Sequence, residues 1–126
     1  GHLGVAQALA GHLRAFGYNA STGRIFLPMN IFAANGVTDG EILAGQESEG
    51  LFAALAQIGE LAQEHVGKAR AAIKALPRQL RPAFAPVAIV GRQATLAVQA
   101  QAPYAAGADL SDWRKIALMG WWAARA

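Results

Sequence analysis

The sequence predicts an all-α helical bundle, on three observations. Alanine, the best helix former, supplies 30 of the 126 residues. No segment alternates apolar and polar residues cleanly over six positions, as a half-buried strand would. From Leu51 to Leu76, apolar residues recur at spacings of three and four for seven turns, which marks one long helix with one buried face.

Taken in order, an opening helix is expected from about Val5 to Phe16, with no capping residue before it. A polar turn, Tyr18-Asn19-Ala20-Ser21-Thr22-Gly23, and an extended link, Arg24 to Pro28, follow. Pro28 can open a short helix, Met29 to Ala34, that Asn35-Gly36 closes. Thr38 with Glu41 three residues on reads as a capping box for a second short helix, ended by Gly45. The long helix spans about Ser48 to Leu76, its stripe being Leu51, Leu55, Ile58, Ala62, Val66, Ala69, Ile73 and Leu76. Glu64 and Lys68 form a favourable i,i+4 pair off that stripe. Pro77 and Pro82 bracket a basic turn. The next helix, about Ala83 to Gln101, is apolar nearly all round and should be central in the bundle. Ser111 caps a last helix, Asp112 to about Arg125, which carries Trp113, Trp121 and Trp122.

Composition bounds the function. The length is that of one domain, or one piece of one. Hydrophobic residues make up 54% and charged residues 15%, and the mean hydropathy is +0.24. An average soluble domain is roughly 25% charged. The chain therefore either buries its surface unusually well or hides part of it against another chain. A net charge of +3 is a modest surplus, and no nucleic-acid partner is expected. With no Cys there are no disulfides and no thiolate metal sites. No apolar run reaches the eighteen residues of a membrane span, and Gly1-His2-Leu3-Gly4 lacks a signal peptide's basic region. A cytoplasmic protein, or one peripheral to the inner membrane, is expected.

Generic motifs yield little. The three histidines, His2, His12 and His65, lack metalloprotease spacing; His12 and His65 could share a space in the fold. Ser21 and Thr22 read as loop caps, with no base nearby. Asp109 and Asp112 read as N-terminal decoration of the last helix. Lys68, Arg70, Lys74, Arg78 and Arg81 form either a solvated face or an anion-docking patch. Trp121-Trp122 beside Arg125 either packs into the bundle or touches lipid headgroups or a partner.

One segment is specific. Gly4 to Pro28, and without gaps Leu13 to Pro28, resembles the second aspartate-rich motif of the squalene/phytoene synthase family, which reads roughly L-R-D-V-x-E-D-A-x-x-G-R-x-Y-L-P. Leu13-Arg14, Ala20, Gly23-Arg24 and Leu27-Pro28 agree, and Phe26 stands where Tyr is usual. Gly36-Val37, Leu76-Pro77, Arg81-Pro82-Ala83-Phe84 and the Trp-rich end also resemble the family. The resemblance covers nearly the whole chain but only the C-terminal two fifths or so of a family member, so residues 1–126 are expected to be one helical segment of a larger isoprenoid synthase-type domain.

The resemblance implies head-to-head joining of two prenyl diphosphates, with Mg²⁺ held by carboxylates one helical turn apart. Here the family's two Asp positions hold Ala15 and Asn19, and its Glu position holds Tyr18. No Asp or Glu stands between Gly1 and Thr38. The expectation is a non-catalytic member with no catalytic residue, no metal and no cofactor, like the branch resembling respiratory complex I assembly factors. It would act by binding a partner protein, a membrane surface or a prenyl-like lipid, and the segment would self-associate through faces that a larger fold covers. Arg14 and Arg24 match basic family positions and are the candidate diphosphate- or anion-binding residues. The alternative is a Mg²⁺-dependent prenyltransferase of isoprenoid biosynthesis.

Overall fold

The computed structural model describes residues 1–99, 103–104 and 112–125. Among them the structure is all-α, with no strand. The order is α1 (His2–Arg14), α2 (Phe16–Ser21), α3 (Met29–Ala34), α4 (Asp39–Leu43), α5 (Glu49–Lys74), a 3₁₀ helix (Arg78–Phe84), α6 (Val87–Gln99) and α7 (Asp112–Arg125).

The long helix α5 organises the rest. Ser48 caps it, its Oγ accepting the Leu51 N–H at 3.1 Å. Leu51, Leu55, Ile58, Ala62, Val66, Ala69 and Ile73 are buried as their spacing predicts, and Ala54 and Gly59 join them. Leu76 lies beyond the helix and is half-buried. α1 and α6 pack on this face and on each other, and α6 also carries α7. That three-sided packing is what a helix apolar nearly all round requires. Among the described residues no polar or charged side chain is buried in the core, so its interior is held by hydrophobic burial, while Gln63 of α5 donates to the Gly91 carbonyl of α6 at 2.7 Å at its margin.

Three boundaries differ from the sequence reading. The opening helix starts at His2, breaks at Ala15 and resumes through Ser21. Tyr18 to Ser21 are therefore helical, not a polar turn: the Ser21 hydroxyl bonds back to the Tyr18 carbonyl at 2.7 Å, satisfying the side chain inside the helix. The penultimate helix starts at Val87, not Ala83. Pro82 and Pro86 lack N–H donors, and the chain between them forms tight turns, the Ala85 N–H reaching the Pro82 carbonyl at 3.1 Å. Half of the capping box forms: Thr38 Oγ1 accepts the Glu41 N–H at 3.2 Å, while the Glu41 carboxylate accepts the Thr38 hydroxyl at 3.3 Å instead of reaching the Thr38 backbone. Ser111, Asp109 and the end of the predicted penultimate helix lie outside the described residues.

The three short helices share one ending. At Gly23, Gly36 and Gly45, φ is 77°, 74° and 71°. In each, the glycine N–H reaches the carbonyl three residues back, and the next N–H reaches the carbonyl five residues back. This is the left-handed helix stop that glycine adopts without strain.

Glycines within α5 make a paired test. A Cβ on Gly50 would collide with the Asn35 backbone carbonyl, whereas one on Gly67 would meet nothing. Alanine normally gains roughly 1 kcal/mol over glycine in a helix. Gly67→Ala is expected to raise the unfolding free energy measured in urea by about that amount, and Gly50→Ala to lower it by about 1–3 kcal/mol through overpacking.

Candidate functional site

The family-like motif is built on the α1–α2 junction. The Ala15 N–H bonds to the Gly11 carbonyl at 3.0 Å, and the Asn19 N–H to the Ala15 carbonyl at 2.9 Å. The break at Ala15 (φ −87°, ψ 5°) therefore kinks the chain without losing the helical ladder. Residues 15 and 19 sit one turn apart, the spacing that paired metal ligands would need. Ala15 and Asn19 are half-buried, and Tyr18 is 71% exposed.

Asn19 and Arg24 meet through the backbone. The Arg24 N–H donates to the Asn19 carbonyl at 2.8 Å, and the Thr22 hydroxyl donates to the same oxygen at 3.0 Å. The Gly-Arg of the motif thus closes α2, with Gly23 supplying the left-handed turn. Thr22 caps the helix end, as its sequence context indicates, whereas Ser21 bonds back within α2 instead of capping a loop. The Arg24 side chain is exposed, and Arg14, at the end of α1, is half-buried and engaged with a neighbour.

Aromatic packing holds this junction. Phe16 is buried between Phe32 and Tyr104, at ring-centroid distances of 5.9 and 5.3 Å. The Tyr104 hydroxyl donates to the Gln46 carbonyl at 2.7 Å, and the Tyr104 backbone lies directly on Gly17, leaving no room for a Cβ. Burial, then the charges of Glu47 and Glu41, push the Tyr104 phenol above its usual range. Nothing in the sequence singled out Tyr104, because its partners lie far away in the chain.

The histidines do not make the His12–His65 meeting that the sequence left open. His65 Nδ1 lies 2.8 Å from His2 Nδ1, and His12 stacks on Phe26 with centroids 5.2 Å apart. α1 sets its successive turns against different partners, so His2 rather than His12 reaches the middle of α5.

The junction does not fit a Mg²⁺-bridged diphosphate. Ala15 has no donor atom, Asn19 offers one neutral amide oxygen, and Tyr18 points a phenol toward solvent. Among the described residues, no three His, Asp or Glu side chains gather into a metal-holding group. Mg²⁺ prefers carboxylate oxygens, and the spacing survives here without them.

A second site lies at the other end of α5, where the Arg-rich stretch resolves into distinct roles. Arg81 caps α5: Nε donates to the Leu76 carbonyl at 3.1 Å and Nη2 to the Lys74 carbonyl at 2.9 Å. Arg70 Nη2 reaches the Val87 carbonyl on α6 at 3.4 Å. These two, with Lys74, Arg92 and Arg125, line a cleft of about 450 Å³ between α5, α6 and α7, floored by Ile73, Leu118, Trp121 and Trp122. Among the described residues no carboxylate lines it. Arg125 lies over the Trp121 ring at 5.6 Å. The sequence offered the Arg run and the Trp pair separately; only the fold brings them together.

Comparison with known proteins bears on the chain as a whole. The sequence profile of the squalene/phytoene synthase family matches residues 1–116. This chain belongs to that family. It is also similar to NADH dehydrogenase (ubiquinone) complex I, assembly factor 6, of Homo sapiens, with 32% identity over 83 residues, and of Mus musculus, with 30% over 83 residues. The Bos taurus protein is 31% identical over the same length. Each alignment covers 66% of this chain and 25% of the relative, so the chain spans about a quarter of those proteins' length. No solved structure matches it.

Two variants test the two sites. Arg81→Ala removes both caps of α5 and is expected to cost about 1–3 kcal/mol of unfolding free energy in urea. Ala15→Asp combined with Asn19→Asp, in the complete protein, is expected to create Mg²⁺ affinity that calorimetry detects in the double variant alone. Affinity in the unsubstituted protein would place the metal site elsewhere.

Proposed function

We propose that this chain is the C-terminal portion of a squalene/phytoene synthase-like domain that acts by binding a protein partner, not by turnover, and needs no metal or cofactor. The observation that carries this reading is the junction itself: Ala15 and Asn19 keep the spacing of a ligand pair and carry no negative charge. A diphosphate holds about three negative charges, and metal-assisted departure needs a cation recruited to neutralise them. Arg14 and Arg24 offer an anion weak contact and no means of ionising a prenyl diphosphate.

The similarity to a complex I assembly factor supports a protein partner. So do the 54% hydrophobic composition and the exposure of Val5, Phe26 and Phe52 outside the cationic cleft. Among the described residues no helix is long and apolar enough to cross a membrane, which accords with a location in the cytoplasm or against the inner membrane.

Turnover of farnesyl and geranylgeranyl diphosphate with Mg²⁺ by the complete protein is the test. No condensed product above a no-protein control is expected. Product formation would replace this reading with the prenyltransferase one.

A further inference from the structure

Helix α7 turns its apolar stripe outward. Trp113, Ile116, Ala117, Gly120, Trp121 and Ala124 recur at spacings of three and four, so they share one face, and all six are exposed. Trp113 is 74% exposed, Trp121 66% and Ile116 63%. Surface helices ordinarily show solvent their polar side. Here the side of α7 holding Leu118 and Trp122 is half-buried over the cationic cleft, and the opposite side carries no charge.

Charge identifies what covers this face. Residues 65–125 contain nine of the chain's eleven Lys and Arg, while residues 39–64 contain six of its eight Asp and Glu. The cleft opens beside the stripe, since Trp121 belongs to both, and among the described residues every charged side chain that lines it is cationic. A second copy docking by this face about a twofold axis would set these cations against themselves. A surface of phosphates would not. α7 has 14 residues, about 21 Å of helix, too short for a hydrocarbon core of about 30 Å. A helix of this kind lies in the plane of the interface, with indoles at headgroup depth and Arg side chains reaching phosphates.

We propose that α7 and the cationic cleft beside it form a docking surface for an anionic phospholipid bilayer. Trp113 and Trp121 enter the headgroup–acyl boundary, and Arg92 and Arg125 engage lipid phosphates from the cleft rim. This goes beyond the protein-partner reading and holds whether or not the protein turns over a substrate.

The test is co-flotation of the complete protein with vesicles of phosphatidylcholine alone, or with about 30 mol% phosphatidylglycerol, at low and high salt. Bound protein is expected to be roughly tenfold greater on the anionic vesicles and to fall severalfold at high salt. Trp113→Ser with Trp121→Ser alters only exposed side chains and is expected to abolish most of the binding while the circular dichroism spectrum is unchanged. Arg92→Glu with Arg125→Glu should remove the preference for anionic lipid, and Phe52→Ser, an exposed apolar change on the early turns of α5, should leave it intact. Equal binding to both vesicle types, or to neither, overturns the proposal. So does a Trp double variant that binds as before; if that variant instead changes the oligomeric mass, the stripe is a protein interface.

Discussion

The rest of the structure depends on one constraint: α5 must keep a single face covered over its whole length. The buried positions from Leu51 to Ile73 contain many small residues, Ala54, Gly59, Ala62 and Ala69 among them, and these let α1 and α6 approach closely. At Gly59 the approach is tight enough that a Cβ would strike Val98. A core of this kind carries little information about direction, because it contains no polar side chain to fix register. Direction comes instead from contacts around it: Ser48 at one end, Arg81 at the other, the Asn35 carbonyl seated on Gly50, and Gln63 bonded to Gly91 and Thr95 of α6. Close packing inside and specific contacts at the ends and margin divide the labour of stability and uniqueness.

The α1–α2 junction shows how a motif's scaffold and its chemistry can part. What the backbone needs from Leu13 to Pro28 is a helix, a buried aromatic at Phe16, a left-handed glycine and an extended exit. All of these are present. What metal binding needs is two side-chain carboxylates, and the backbone is indifferent to them. Positions 15 and 19 are half-buried, so an alanine and an asparagine fit with no loss of packing. Loss of charge at such positions even removes a repulsion, since two carboxylates a turn apart oppose one another without a cation between them.

Much of the fold was legible because its signals are local. Glycine stops, the Ser48 cap and the stripe of α5 are each written within a few residues, and α3 falls on the expected Met29–Ala34. Boundaries failed where polar side chains satisfied themselves inside a helix, as at Ser21, or where two prolines four residues apart traded helix for tight turns. The α1–α2 spacing was legible for the same local reason. The cationic cleft was not, because Arg70, Arg92 and Arg125 lie on three different helices and only packing unites them. The Tyr104 contact and the His2–His65 pair are non-local in the same way, spanning 58 and 63 positions.

The separation of acid from base along the chain has an electrical consequence. α5 has 26 residues and is about 39 Å long. Asp39, Glu41, Glu47 and Glu49 lie on or before its first turn; Lys68, Arg70, Lys74, Arg78 and Arg81 lie on or just after its last turns. Each group opposes the partial charge of the helix end beside it. At physiological ionic strength the Debye length is about 8 Å, far shorter than this separation. A charged body approaching one end therefore does not feel the other, and the modest net charge of +3 describes neither. The protein meets its surroundings as two electrically independent poles, so its affinities depend on which end arrives first.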